Sequence, residues 1–244
     1  MRPAIRRAVV VIPARDEAAT LDACLASVEA AGTIVDVPTD IVLVLDACTD
    51  DSATIAVRHP AVRTVAVAFG NVGRSRAHGV ETALAGSPHD PQSVWLAFTD
   101  ADGTVPRGWL AEHLRAARHA DAYTGAVVPV LDDLDAERRR VWEDRHPPGA
   151  TLGHVHGANL GMRASAYLRA GGFPPLATAE DVRLAARLRD AGVLMLSSEH
   201  EPVVTSARLR GRAPEGYAGY LEALAADRER GHGSVTFGVP STYT

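Results

Sequence analysis

The chain has no lysine: all 25 of its basic side chains are arginine, set against 30 acidic ones for a net charge of −5 over 244 residues. No block of like charge stands out, which argues against a general nucleic-acid binder, and the missing lysine alone is read as codon bias. It also rules out the phosphate loop G-x-x-x-x-G-K-[ST]. Cysteine is scarce. Cys24 and Cys48 stand in a helix-like and a loop-like context without zinc spacing, so a reduced, cytoplasmic protein is expected. Long hydrophobic runs are lacking as well. Ala8 to Pro13 and Ile41 to Leu45 are far too short to span a bilayer, and Arg2, Arg6 and Arg7 precede an apolar run without the h-region and small-residue cleavage site of a secretory signal. No integral membrane segment is expected, and peripheral membrane contact is left open.

What the chain does have is core, since 46% of its residues are apolar. That suffices for one large domain over residues 1–230, with 231–244 expected as a flexible tail. The first half alternates strand-like and helix-like segments, the pattern of a mostly parallel sheet covered on both faces. Strands are predicted at Ala8 to Pro13, Ile41 to Leu45, Val62 to Ala68 and Val94 to Thr99. A helix is predicted with Leu21, Leu25 and Val28 on one stripe before Gly32 stops it, and others after Asp50-Asp51-Ser52 and over Val72 to Ala85. Beyond them come a helix near Trp109 to His119, a strand near Ala122 to Val130, a charged helix from Asp132 to Arg145, a glycine-rich stretch from Gly149 to Gly161, and a helix through Leu184 and Leu188 to Gly192.

In open α/β sheets ligands collect at the carboxyl ends of the strands. Those ends read Pro13-Ala14-Arg15-Asp16-Glu17, Asp46-Ala47-Cys48-Thr49-Asp50-Asp51, Gly70-Asn71-Val72-Gly73-Arg74-Ser75-Arg76 and Asp100-Ala101-Asp102. The last is the most telling, because an apolar strand that ends in two carboxylates one residue apart can hold a hard divalent cation, and the cation a diphosphate. Taken alone, Asp100-Ala101-Asp102-Gly103 also reads as a turn, and Asp16, Glu17, Asp50 and Asp51 as helix caps. The turn from Gly70 to Arg76 does not match the dinucleotide pattern G-x-G-x-x-G.

Val10-Val11-Ile12-Pro13-Ala14-Arg15-Asp16-Glu17, Val44-Leu45-Asp46-Ala47-Cys48-Thr49-Asp50-Asp51-Ser52, Phe98-Thr99-Asp100-Ala101-Asp102, and Gly171-Gly172-Phe173 through Ala179-Glu180-Asp181 resemble the successive motifs of family 2 glycosyltransferases over roughly residues 8–210. The resemblance implies a GT-A fold: α/β, with a Rossmann-like, mostly parallel central sheet flanked by helices and a smaller antiparallel acceptor-side region. It implies a nucleotide-binding half over about 8–103 and an acceptor-side half over about 104–212. Pro13, Ala14, Arg15, Glu17 and Asp46 would hold the nucleoside, with Asp46 accepting from a base N–H. Gly70 would pass the nucleotide, with Arg74 or Arg76 available to the diphosphate. Asp100, Ala101 and Asp102 form the D-x-D element, Asp102 as the direct metal ligand and Asp100 as its weaker companion. Mn²⁺ and Mg²⁺ both suit such oxygen donors.

Thr178-x-x-Asp181 reads locally as a capping box. Its likeness to the family's E-D pair instead makes Asp181 the general base that takes the proton of the acceptor hydroxyl, with Glu180 beside it. His154 and His156 alternate as on a strand and could form a metal pair. The reading preferred to that has His156, Gly157 and Asn159 lining the donor or acceptor cleft. Arg208, Arg210 and Arg212 alternate after a strand, as a lid over the diphosphate or as a solvated basic edge. His200 is the nearest histidine for a metal shell, at unconvincing spacing.

The expected function is metal-dependent transfer of a sugar from a nucleotide diphosphate donor, UDP-sugar favoured and GDP-sugar admitted, to a hydroxyl acceptor, with inversion. Alternatives are a retaining enzyme of the glucosyl-phosphoglycerate synthase type and a non-catalytic sugar-nucleotide binder. A homodimer is left open.

Overall fold

The computed structural model of the chain describes residues 2–211 and 216–226. Its strands are β1 (Arg7–Ala14), β2 (Thr39–Asp46), β3 (Val62–Val67), β4 (Val94–Phe98), β5 (Gly103–Thr104), β6 (Ala122–Pro129), β7 (Leu160–Arg163) and β8 (Met195–Thr205). Its helices are α1 (Leu21–Gly32), α2 (Ser52–Ala56), α3 (Val72–Leu84), α4 (Trp109–Ala116), α5 (Ala136–Arg145), α6 (Ala164–Arg169), α7 (Glu180–Asp190) and α8 (Tyr217–Ala226). One sheet runs β3-β2-β1-β4-β7-β6-β8-β5. The first four strands in that order are parallel, β7 is antiparallel to both neighbours, and β5 is antiparallel to β8. No helix among the described residues is long and apolar enough to cross a membrane.

The continuous apolar runs form the inner strands because both faces of the sheet are covered. In β1 the two-residue period divides the chain between two layers. Ala8, Val10 and Ile12 pack with Leu21, Leu25 and Val28 of α1 and with Trp109 and Leu110 of α4. Val9 and Val11 face the other way, toward Val80 and Ala83 of α3 and Leu184 and Leu188 of α7. Each such leucine or valine contributes about 1.5–3 kcal/mol on burial. The α3 side is close enough that a Cβ on Gly79 would lie 2.4 Å from Val11 Cγ1. A third, smaller cluster joins α5 to α8 through Trp142, Leu221 and Leu224.

Several expected elements differ. The charged run splits into a 3-10 turn at Leu131–Asp133 and α5, because the Asp135 side chain caps the helix by accepting from Arg138 N at 2.9 Å. Helix α4 stops at Ala116 rather than His119. The alternating pair His154 and His156 lies in irregular chain, not on a strand, and the next strand, β7, begins only at Leu160. Thr178 does not cap α7: the residue before that helix is Ala179, at φ 57°, and no side-chain cap bond forms. Arg212 and the expected tail 231–244 lie outside the described residues.

Candidate active site

The turn Asp100-Ala101-Asp102 is fastened by its backbone. Thr20 Oγ1, ahead of α1, donates to the Ala101 carbonyl at 3.0 Å, the Cys24 thiol reaches the Asp100 carbonyl at 3.4 Å, and Ser206 N donates to the Asp102 carbonyl at 3.0 Å. Pairing of Gly103 with Thr205 makes the chain leave β8 beside Asp102. Arg208 is thereby carried to two acids at once. Its Nη2 lies 2.8 Å from Asp102 Oδ2, while Nη1 donates to Glu17 Oε2 at 2.9 Å and Nη2 to Glu17 Oε1 at 3.0 Å. Burial, then the neighbouring Asp100, raise the Asp102 carboxyl to about 6 against the pull of Arg208.

Arg76, in the second turn of α3, joins the other acids. It is 3% exposed, and its Nη2 donates to Asp100 Oδ1 and its Nη1 to Glu180 Oε1, with the Phe173 ring centroid 5.6 Å from the guanidinium carbon. Two glycines allow this convergence. A Cβ on Gly157 would fall 2.4 Å from Arg76 Nη2, and one on Gly73 would fall 2.2 Å from the Pro174 carbonyl oxygen. Burial disfavours the Arg76 charge, but Asp100 and Glu180 outweigh it and its pKa rises. Burial raises Glu180 in spite of Arg76. Asp181 follows directly: its Oδ2 accepts from Gly157 N at 2.6 Å and its Oδ1 from Val182 N at 2.7 Å. The D-x-D turn, the E-D pair and the glycine-rich segment thus meet around one guanidinium.

Other expected site residues are engaged differently. Asp46 is 4% exposed and holds the 69–75 turn, its Oδ1 accepting from Phe69 N and Gly70 N at 2.7 and 2.8 Å, its Oδ2 from Asn71 N and Ser75 Oγ at 2.9 and 2.8 Å. Burial works against its charge, yet these donors prevail and lower its pKa. Asn159 does not line a cleft. It is fully buried, where its Oδ1 accepts from Trp109 Nε1 at 2.9 Å and faces His113 Nε2 at 3.1 Å. Because Trp95 Nε1 donates to His113 Nδ1, that ring is neutral with its proton on Nε2, and burial lowers its pKa to about 4. Arg74 points away from Arg76, over the Phe69 ring at 4.3 Å, and lines a cavity of about 230 Å³ with His78, Glu81 and Pro175. Exposed Arg15 reaches over Gly70, with Nη1 3.6 Å from where a Cβ would be. Pro13 and Ala14 end β1, the Ala14 carbonyl accepting from the Cys48 thiol at 3.4 Å. His200 and Arg210 are exposed.

Beside Asp181 stand groups that the sequence did not single out. Trp142 stacks on His146 at 4.2 Å and donates to Tyr217 Oη at 3.2 Å, and Tyr217 meets the His156 ring edge to face at 6.0 Å. Burial lowers His156 to about 4. Trp142 and Tyr217 lie 75 residues apart, so no local signal in the sequence could bring them together. The segment between His146 and His156 is pinned by Glu199 of β8, which accepts from Gly149 N at 2.6 Å and from Thr151 N and Oγ1 at 2.9 and 2.6 Å.

Among the described residues, one set of three acid, cysteine or histidine side chains brings its ligand atoms within 4.8 Å: Asp16, Cys48 and Asp50. Their carboxylates serve the backbone, Asp16 Oδ1 accepting from Thr49 N at 2.6 Å and Asp50 Oδ2 from Ala18 N at 2.8 Å. A divalent cation fits better at the D-x-D turn. Asp102 and Glu17 offer hard oxygen donors to one point, and a cationic group, the Arg208 guanidinium, already stands between them.

Residues 9–167 match the model of the family described as glycosyl transferase family 2. No curated protein matches the chain. Among solved structures it is similar to the mannosyltransferase PcManGT of Pyrobaculum calidifontis in complex with GDP-Man and Mn²⁺, at TM-score 0.59 and 21% identity over 95% of this chain and 66% of that one. It is also similar to S. aureus TarS 1-349 in complex with UDP-GlcNAc, at TM-score 0.60 and 15% identity over 86% of this chain and 61% of that one. The chain thus spans just under two thirds of the length of these structures. The shared architecture is the GT-A fold.

Proposed function

The chain belongs to glycosyl transferase family 2, and on that premise we propose that it moves a sugar from a nucleoside diphosphate sugar to a hydroxyl acceptor, with inversion. The observation that carries this is the Arg76 guanidinium, which gathers Asp100 of the D-x-D turn and Glu180 of the E-D pair into one cleft and sets Asp181 beside them. Residues 8–103 serve as the nucleotide half and 104–212 as the acceptor half. Asp102 holds the metal, and Asp100, fixed by Arg76, faces the donor's hydroxyls. Mn²⁺ or Mg²⁺ held there supplies Lewis-acid stabilisation of the charge that builds on the leaving diphosphate. Arg208 adds a forked donor for the same phosphates. Asp181 removes the acceptor proton as the hydroxyl attacks, its carboxylate aimed by Gly157 N. GDP-Man and UDP-GlcNAc in the similar structures leave both bases in play for this chain.

Calorimetric titration with UDP, GDP and their sugars, with and without Mn²⁺, tests the reading. Binding should require metal and be lost in Asp102→Asn. Asp181→Asn should keep binding and lose release of nucleoside diphosphate. No response to any nucleotide with metal sinks the proposal, and the anomer of the product, read by NMR, decides between inversion and retention.

A further inference from the structure

Four carboxylates converge on two guanidinium groups here, and the two arginines are not equivalent. Arg76 is closed in, with a side chain 3% exposed, and its removal would leave buried Glu180 and half-buried Asp100 without their cation. Arg208 bridges Glu17 and Asp102 with a side chain 34% exposed. Its backbone is tethered next to Asp102 through Ser206 N and through its own N–H to Ser206 Oγ at 3.2 Å, so the side chain can swing while its root stays in place. The position it fills, between Asp102 Oδ2 and both oxygens of Glu17, is the one a divalent cation would claim. Guanidinium and divalent cation repel, and both need Asp102 Oδ2.

We infer that Arg208 is the resident cation of the metal position, and that it exchanges places, leaving the Glu17–Asp102 pair for the donor's diphosphate when the metal enters. The inference rests on the metal-and-diphosphate role proposed above and adds to it a coupling between the two ligands. Without nucleotide, the metal must displace Arg208 and leave a guanidinium without a partner. With a diphosphate present, the displaced guanidinium gains a bidentate acceptor. Metal and nucleotide therefore favour each other, by the same factor in both directions.

The test is Mn²⁺ titration followed by the electron paramagnetic resonance of the free ion, on the whole chain, alone and with saturating UDP or GDP. Arg208→Ala should bind Mn²⁺ at least tenfold more tightly than the parent without nucleotide, and more weakly than the parent with it. Arg208→Gln, which keeps length and polarity, serves as the second variant and should show the same reversal of sign. Equal tightening in both conditions would make Arg208 a mere neighbouring charge and overturn the exchange, as would no tightening at all. Asp102→Asn separates the two levels. If Mn²⁺ binding is lost in Asp102→Asn but indifferent to Arg208, only the exchange fails. If no variant, nor the parent, binds Mn²⁺, the metal reading fails and the exchange with it.

Discussion

Arg76 Nη1 donates to Glu180 Oε1 across 104 residues of chain, tying the second turn of α3 to the first residue of α7. The pair is buried, so removing one member leaves an uncompensated charge rather than a lost surface contact. Arg76→Met should cost about 3–5 kcal/mol in urea denaturation. Adding Glu180→Gln should restore part of that loss, because it removes one of the stranded carboxylates. Equal stability of single and double variants would show that Glu180 does not depend on Arg76.

Asn159 carries a second buried network. Asn159→Ala strands the Trp109 and His113 donors in the core, and each unsatisfied group costs about 1–3 kcal/mol. The expected outcome is a lowered urea midpoint at unchanged m-value. A changed m-value would mean that the network also sets how much surface the fold buries.

Glu199 should govern the order of the segment from Gly149 to Gly153. In hydrogen exchange, Glu199→Ala should expose the Gly149 and Thr151 amides, while Glu199→Gln should retain part of their protection. The hydrogen bonds from Thr151 and Gly149 hold this carboxyl below its ordinary value. The order it confers is therefore full above the unfolded pKa of about 4.3 and is lost as pH falls through the lower, folded value.

His59 makes the opposite pH dependence. Its Nδ1 lies 2.8 Å from Glu29 Oε2 and its Nε2 3.2 Å from Asp22 Oδ1, clamping the turn after α2 to α1. Burial works against its charge, but these carboxylates prevail and raise its pKa. Its contribution is complete below the unfolded value of about 6.5 and disappears as pH rises through the raised, folded one. The melting temperature should fall across that window in the parent and vary less in His59→Gln. Parallel curves for the two proteins would rule the clamp out.

Much of this was legible in the residues. Strands β1, β2 and β4 announce themselves as unbroken apolar runs because the sheet is covered on both faces, and acids stand at or just past their ends. Strand β7 escaped notice because Gly161 interrupts four residues, and of β8 only the end before Arg208 was legible, because Leu196-Ser197-Ser198-Glu199-His200-Glu201 reads as polar. Its register against β6 slips there, between Gly125 and Val127, which no periodicity encodes. Asp102 and Arg208 were each marked as site residues, but nothing local pairs Arg208 with Glu17, 191 positions away. Asp46 shows the complementary limit. A carboxylate at a strand end looks the same in sequence whether it awaits a ligand or holds a turn.

That turn has a thermodynamic consequence. Four donors from Phe69, Gly70, Asn71 and Ser75 close on one carboxylate, so the 69–75 segment has its shape before any partner arrives. The entropy of ordering it is spent during folding, not at the encounter, and a ligand seated against it meets a preorganised wall.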